Sequence, residues 1–134
     1  MIHLAGKKIL VTGGSRGIGR ATSLLFARAG GDVALNYLSQ EAAALEVKRE
    51  VEKMGRECLI FKADISLEKE VRRIVKEIIK KWGQIDVVVN NAGIWTYGEM
   101  GAMARDVWEE TMRINLDGVY HVLNAVIPSM KEKR

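Results

Sequence analysis

The sequence contains little cysteine, proline or aromatic residue, and each scarcity excludes a class of protein. Among its 134 residues are one cysteine, Cys58, one proline and 6% aromatic residues. A lone cysteine forms no disulfide within the chain, which excludes a disulfide-stabilised secreted scaffold. His3 and His121 form no metal-ligand spacing with Cys58 or with each other, so we expect no metal site.

Long apolar runs are also missing. The longest have the length of one strand, well short of the ~20 residues that span a membrane, and the first five residues are too short for a signal sequence. The 21 Lys and Arg residues exceed the 17 Asp and Glu residues only slightly, and opposite charges alternate along predicted helices. We therefore predict a cytoplasmic protein that binds neither membranes nor nucleic acid.

The chain instead alternates short apolar runs with longer amphipathic stretches. This alternation is typical of βαβ units around a parallel sheet, and the length suits one domain. The predicted strands are residues 9–11, 33–37, 59–61 and 85–89. We predict a doubly wound parallel α/β sheet of the Rossmann type over residues 1–134, truncated after its fourth βα unit.

Apolar residues at helical spacing predict a helix after each strand. Ser39 and Ser66 are the predicted N-caps of the second and third helices. Pro128 is expected to kink or end the last helix, which is predicted from about Arg105 to Lys131. The first helix is predicted to bury Ile18, Ala21, Thr22, Leu25 and Ala29, and the last to bury Trp108, Met112, Val119, Leu123, Val126 and Met130.

A glycine-rich stretch lies where the first strand turns into the first helix. It reads Thr12-Gly13-Gly14-Ser15-Arg16-Gly17-Ile18-Gly19. Glycine permits unusual backbone angles, lets main-chain N–H groups approach a pyrophosphate, and allows a helix to pack closely on a strand. The positive end of the helix dipole favours the same phosphates. The alternative interpretation is a tight structural turn that binds no ligand.

A second motif, Asn90-Asn91-Ala92-Gly93, directly follows the fourth strand. Together with the spacing T-G-x-x-x-G-x-G, it resembles the short-chain dehydrogenase/reductase family over residues 7–130. The resemblance is close to the 3-oxoacyl-(acyl-carrier-protein) reductases, and sugar dehydrogenases share the motifs. It implies hydride transfer between a nicotinamide and a ketone or secondary alcohol. It also implies a small-molecule or acyl-carrier-linked carbonyl substrate and a homo-oligomer.

The resemblance assigns a role to residues at several strand ends. Asp64 takes the position that bonds the adenine amino group, with Ile65 beside it, although an acid before a helix also complements its dipole. Residues 91–93 form the floor of the cofactor cleft or, alternatively, an ordinary Asx/Gly turn. The predicted cofactor-binding residues are Thr12, Gly13, Ser15, Arg16, Gly17, Ile18, Gly19, Tyr37, Asp64, Ile65, Asn91, Ala92 and Gly93.

The choice of cofactor depends on the residues after the second strand. A carboxylate there accepts hydrogen bonds from the adenosine ribose and repels a 2′-phosphate. This chain has Asn36, Tyr37, Leu38 and Ser39 in that place, while Arg16 offers a guanidinium to a phosphate. We therefore predict NADP(H) rather than NAD(H), unless Arg16 is simply a solvated residue at the start of the helix.

Asn115 falls on the predicted apolar side of the last helix, where an amide is costly unless it meets a partner. The resemblance makes it the first member of the family's catalytic set of Asn, Ser, Tyr and Lys. A buried asparagine that bonds a neighbouring carbonyl is the structural alternative.

The rest of that catalytic set does not appear. The family's tyrosine donates a proton to the substrate and is followed four residues later by a lysine that lowers its pKa. Here the residues four positions after Tyr37, Tyr97 and Tyr120 are Glu41, Gly101 and Asn124. We therefore expect weak nucleotide binding without reduction by these residues alone. The alternative is a non-catalytic nucleotide-binding or interaction module that pairs with a partner through its open sheet edge.

Overall fold

The computed structural model describes residues 2–133 and contains one parallel sheet of four strands. The strands are β1 (Lys8–Val11), β2 (Asp32–Tyr37), β3 (Cys58–Lys62) and β4 (Val87–Val89). Their order in the sheet is β3-β2-β1-β4, and all three pairings are parallel. The order reverses between β1 and β4, so the predicted doubly wound Rossmann-like fold is confirmed.

Helices cover both faces of this sheet. Because side chains alternate along a strand, Ile9 and Val11 pack with α1 and α2, whereas Leu10 packs on the opposite face with α3 and α5. Each face therefore has its own apolar core. The helices are α1 (Gly17–Arg28), α2 (Glu41–Lys53), α3 (Glu68–Trp82), α4 (Arg105–Met112) and α5 (Gly118–Glu132).

The predicted buried face of α1 is wrong. Ile18 and Leu25 are 78% and 61% exposed, and the buried residues are Gly19, Ser23, Leu24 and Ala27. Contact with the loop before the helix decides the orientation, because Gly19 packs on the backbone of that loop. The Ser23 hydroxyl donates to the Gly19 carbonyl at 2.9 Å, so a polar residue fits on the buried side.

Both predicted serine caps are also wrong. The N-cap of α2 is Gln40 and that of α3 is Leu67, and neither makes a capping hydrogen bond through its side chain. Each helix thus begins one residue later than the serine would require. Ser66 instead accepts a hydrogen bond from the Arg113 guanidinium at 2.7 Å.

The last predicted helix is interrupted by a turn of π-helix. Residues Arg113–Asp117 form this turn between α4 and α5, without a break in the helical path. A π turn accommodates an additional residue and rotates everything that follows it. The predicted buried side is therefore wrong at Leu123, which follows the turn and is 38% exposed. It is also wrong at Trp108, which precedes the turn and is 49% exposed, because α4 buries none of its residues. The buried residues of α5 are Gly118, Val122 and Val126.

Pro128 lies inside α5 and does not end it, since the helix continues to Glu132. Proline cannot donate to the carbonyl one turn earlier, which belongs to Asn124. Asn124 is exposed, so water can satisfy that carbonyl. The predicted termination at Pro128 is therefore wrong.

β4 is an edge strand of the sheet that residues 2–133 form. It pairs with β1 on one side, and its three valines are half-buried. An apolar edge of this kind offers unpaired backbone groups to another strand.

Within residues 2–133, no helix combines the length and the apolarity that a membrane crossing requires.

Candidate functional site

A cleft of about 340 Å³ opens at the carboxyl ends of the central strands. It lies at the point where β2 and β4 flank β1, and open parallel sheets bind ligands at such switch points. Four segments line it: the turn from β1 to α1, the end of β2 with the residues after it, the residues after β3, and the residues after β4. Ile114 of the π turn also lines it. All the predicted cofactor-binding residues line this cleft except Thr12 and Gly19.

Two glycines shape the turn from β1 to α1. Gly13 and Gly17 have φ angles of +61° and +54°, which side chains with a Cβ atom rarely adopt. At Gly13 a Cβ atom would also lie 3.0 Å from the Ala92 Cα atom. The absence of side chains therefore lets this turn lie against the segment after β4.

Gly19 and Gly14 are both required for close packing. A Cβ atom at Gly19 would overlap the Gly13 carbonyl and lie 2.5 Å from Nδ2 of Asn91. A Cβ atom at Gly14 would lie 2.5 Å from the Leu35 Cβ atom. The start of α1 is thus drawn tightly onto the loop, as the motif predicts.

Thr12 and Asn91 fasten the loops after β1 and β4 to each other. The Thr12 hydroxyl oxygen accepts hydrogen bonds from the backbone N–H groups of Asn91 and Ala92, each at 3.0 Å. In return, Nδ2 of Asn91 donates to the carbonyls of Thr12 and Gly13 at 3.0 and 3.1 Å. The Thr12 hydroxyl therefore joins the two loops, whereas contact of Thr12 with a cofactor stays a prediction.

The first turn of α1 presents unpaired donors. Its first internal bond joins the Arg20 N–H to the Arg16 carbonyl. The N–H groups of Gly17, Ile18 and Gly19 have no hydrogen-bond acceptor within the described part of the chain, and the N-cap side chain supplies none. No acidic residue occupies this first turn. The positive end of the helix dipole is therefore available to an anion from outside.

The side of the cleft beyond β3 is built by Asp64 and Ile65. The Asp64 carboxylate accepts from the Ser66 N–H at 2.9 Å, and the Asp64 N–H donates to the Glu70 carboxylate at 2.6 Å. Ile65 packs against Gly118, where a Cβ atom would lie 2.7 Å from Cδ1 of Ile65. Contact of Asp64 with adenine stays a prediction, and the carboxylate also supports its own turn.

Tyr37 closes the end of β2 and is 5% exposed. Its hydroxyl donates to the Glu41 carboxylate at 3.2 Å. Burial raises the pKa of Tyr37, and the hydrogen bond to Glu41 raises it further. The phenol therefore stays protonated, and Tyr37 is one of the residues that line the cleft.

Asn115 lies in the π turn and bonds both backbone groups of Ile94. Its Oδ1 accepts from the Ile94 N–H and its Nδ2 donates to the Ile94 carbonyl, each at 2.8 Å. The expectation of a buried amide is wrong, because Asn115 is exposed, whereas the expected polar partner is present. Asn115 itself does not line the cleft, and its catalytic role stays a prediction.

Two contacts with the turn after β3 were not predicted, one from the π turn and one from α5. Arg113 donates to the Ser66 hydroxyl, and the imidazole Nδ1 of His121 lies 3.0 Å from the Ile65 carbonyl. Because a carbonyl only accepts, this nitrogen carries the proton. The residues alone gave no sign of these contacts, since the π turn rotates them into place. The described residues contain no cluster of His, Cys, Asp and Glu able to hold a metal ion.

Asn36 was noted in the sequence only because it is not a carboxylate, yet it is a structural centre of the site. It is 3% exposed and lines the cleft. Its Oδ1 accepts from the Gly13 N–H at 2.8 Å, and its Nδ2 donates to the Ala63 carbonyl at 2.9 Å. One signal was available: a single amide interrupts the apolar strand Val33–Tyr37.

A parallel sheet covered on both faces, with a glycine-rich turn at its switch point, defines a Rossmann-like α/β protein. Residues 7–134 match the family described as short chain dehydrogenase, and the chain belongs to that family. The family consists of oxidoreductases that bind a nicotinamide cofactor.

Similar proteins agree with this assignment. The 3-oxoacyl-(acyl-carrier-protein) reductase FabG of Staphylococcus epidermidis is 37% identical over 128 residues, which are 96% of this chain and 52% of that protein. A short chain dehydrogenase from Burkholderia cenocepacia in complex with NADP is 35% identical with a TM-score of 0.90, over 94% of this chain and 51% of that one. NAD+-bound xylitol dehydrogenase is 31% identical with a TM-score of 0.92, over 97% and 50%. The chain thus spans about half the length of these relatives.

Proposed function

We propose that the cleft binds a nicotinamide dinucleotide with its pyrophosphate at the start of α1. The observation that carries this proposal is the set of unpaired N–H groups at Gly17, Ile18 and Gly19, next to the cleft. A pyrophosphate supplies acceptors for these donors and negative charge for the helix dipole. The positive φ angles of Gly13 and Gly17 keep the backbone open to such an approach.

Within this site NADP(H) is preferred to NAD(H). Arg16 is exposed and lines the cleft, and the residues after β2 that line it are Leu38, Ser39 and Gln40, none of them acidic. A 2′-phosphate therefore meets a guanidinium and no carboxylate at this end of the cleft. The support comes from these residues, because the similar structures include both an NADP complex and an NAD+ complex.

The proposed reaction is hydride transfer between the nicotinamide and a ketone or secondary alcohol. The substrate is a small molecule or a carbonyl linked to an acyl carrier, in line with the reductase from Staphylococcus epidermidis. No tyrosine in this sequence is followed four residues later by lysine. We therefore assign cofactor binding to these residues, and assign proton transfer to residues outside them. Asn115 takes part by holding Ile94 at the rim of the cleft.

The proposed assembly is a homo-oligomer that uses the outer face of α5. Leu116, Tyr120, Leu123 and Ile127 follow one another at helical spacing and are 38% to 62% exposed. An apolar stripe of this length is typical of a protein interface. Sedimentation of the purified chain tests the proposed homo-oligomer, and a monomer at all concentrations would contradict it.

A cytoplasmic location of the protein stays a prediction.

Titration of the purified chain with NADPH and NADH tests the proposed site. We expect both to bind, with NADPH tighter. Arg16→Ala should weaken NADPH binding roughly tenfold while leaving NADH nearly unchanged, since one charged hydrogen bond to the phosphate is lost. Arg28→Ala is the matched control, because it removes the same charge from the far end of α1. Equal losses for both nucleotides in Arg16→Ala would remove the cofactor assignment.

An assay of ketone reduction separates binding from catalysis. We expect the chain to bind NADPH without turning over a ketone. Turnover by these residues alone would contradict the assignment of proton transfer to other residues. Absence of binding to either nucleotide would instead favour an interaction module that pairs through the edge of β4.

A further inference from the structure

The Asn36 side chain lies between two parts of the cleft. On one side, its Oδ1 takes the Gly13 N–H in the turn after β1. On the other, its Nδ2 reaches the Ala63 carbonyl, next to Asp64. Because an N–H only donates and a carbonyl only accepts, the orientation of the amide is fixed. The main-chain carbonyl of Asn36 adds a third bond, because it accepts from the Gly14 N–H at 3.1 Å.

These bonds determine which backbone groups remain for a phosphate. The N–H groups of Gly13 and Gly14 are already used by Asn36. The carbonyls of Thr12 and Gly13 are used by Asn91. The N–H groups of Gly13 and Gly14 are therefore taken, and the free donors of the turn begin at Ser15 and Arg16, whose N–H groups have no acceptor within the described residues.

We propose that Asn36 is a positioning residue. It sets the spacing between the phosphate cradle, which is the glycine-rich turn of residues 12–19, and the Asp64 side of the cleft. This inference rests on the proposed nucleotide site and deepens it. Asn36 joins the cradle to the end of β3 through a single rigid amide, so its loss frees the turn to move relative to Asp64. The adenosine diphosphate part is common to NADPH and NADH, so Asn36 acts on both alike, unlike Arg16.

Asn36→Leu has a similar volume and removes both side-chain bonds. We expect roughly tenfold weaker binding of NADPH and of NADH. We also expect the Gly13 amide proton, measured by NMR hydrogen exchange, to lose protection. The control is Val71→Ala, which removes core volume under α3 away from the turn. It should lower the thermal midpoint at least as much, while it leaves Gly13 protection and nucleotide affinity close to those of the unchanged chain.

Asn36→Asp supplies a second readout, which a loss of stability alone would not produce. Its carboxylate still accepts from Gly13 but places an oxygen against the Ala63 carbonyl. Protonation restores a donor, and burial raises the pKa of such a carboxyl group. Affinity for NADH, which has no 2′-phosphate for the new carboxylate to repel, should therefore recover as the pH falls toward about 5, whereas the unchanged chain and Val71→Ala should show no such recovery.

The results separate this inference from the proposed function. Weakened binding of both nucleotides together with an unprotected Gly13 amide in Asn36→Leu supports it. Affinity equal to that of Val71→Ala, or a Gly13 amide that stays protected, overturns it. If the unchanged chain binds neither nucleotide, the proposed function fails. Gly13 exchange in Asn36→Leu then decides by itself whether Asn36 holds the turn.

Discussion

The turns that follow β1 and β4 lie side by side at the same edge of the sheet but are built in opposite ways. The turn after β1 is held from two sides by Asn36 and Asn91, and its glycines are packed against their neighbours. The segment after β4 exposes 94% of Trp95, 88% of Tyr97 and 83% of Met100. Its beginning is fixed through Thr12 and Asn115, and further along a single hydrogen bond joins Thr96 to Thr111.

This difference separates two tasks within one cleft. The turn after β1 is preorganised for a pyrophosphate, which needs the same donors in every dinucleotide. The segment after β4 leaves large apolar side chains in solvent, where folding within residues 2–133 gains little from them. The turn after β1 therefore contributes to the stability of the chain beside the two apolar cores, while the segment after β4 contributes little.

Replacing one glycine beside the turn after β1 and one in the segment after β4 should give the largest difference in the free energy of unfolding. In Gly19→Ala the new Cβ atom meets backbone at Gly13, which has no room to move, so we expect a loss of about 3 kcal/mol. In Gly98→Ala it meets only side-chain atoms of Met103, a flexible residue that is able to move, and the loss should stay below about 1 kcal/mol. Urea unfolding measures both, and similar losses would contradict the contrast.

The hydroxyl groups allow a second test. Thr12→Val keeps the shape of the side chain but leaves the N–H groups of Asn91 and Ala92 without their acceptor, at a cost of about 2 kcal/mol. Thr12→Ser retains the oxygen and should recover most of this loss. Thr111→Val removes the bond to Thr96 in the other region and should cost about 1 kcal/mol or less. A larger loss at Thr111 would reverse our ranking.

Cys58 is buried at the start of β3, and the pH dependence of stability tests this burial. Burial raises the pKa of its thiol from 9.0 to about 12, with Lys48 lowering it and Glu52 raising it further. The unfolded chain therefore loses this proton at lower pH than the folded chain, and stability falls as the pH rises above about 9. Between about pH 8 and pH 10 the unchanged chain should lose about 1 kcal/mol more than Cys58→Ala. Equal losses in urea unfolding would show an accessible thiol.

The smallest effect is expected at the most exposed side chain. Trp95→Ala should change the free energy of unfolding by less than about 0.5 kcal/mol, because the indole is 94% exposed. Acrylamide should also quench part of the tryptophan fluorescence in the unchanged chain, and this part should vanish in Trp95→Ala. A loss above about 1 kcal/mol would mean that Trp95 packs on something, which would end the contrast between the two regions.

The sequence predicted the strands well, because their apolar runs are short and separated by glycine or polar turns. The prediction failed where contacts between distant segments determine which face of a helix is buried. Ile18 and Leu25 are more apolar than Gly19 and Ser23, yet the close approach of α1 to its loop turns the smaller residues inward. The π turn shifts the buried face of α5 by an amount that residue spacing does not encode.

The site follows the same rule. The glycine and asparagine motifs predicted the location of the cleft, because local backbone requirements restrict those positions to a few residue types. The roles of Asn36 and Arg113 depend on partners from other strands and helices, at Gly13 and Ser66. Ser39 and Ser66 are good capping residues in isolation, but each helix begins where its packing on the sheet places it.

The pairing of β4 with β1 has a consequence for how the chain reaches its final shape. Leu10 pairs with Val88, and the Asn91 amide meets Gly13 across 78 positions of the chain. Contacts between such distant positions form late, since a long intervening loop must first be closed. On the ribosome, β1, β2 and β3 emerge well before β4. The carbonyls of Thr12 and Gly13 therefore stay hydrated in the nascent chain until Asn91 has been synthesised, whereas Asn36 emerges earlier and is able to hold the Gly13 N–H group by then.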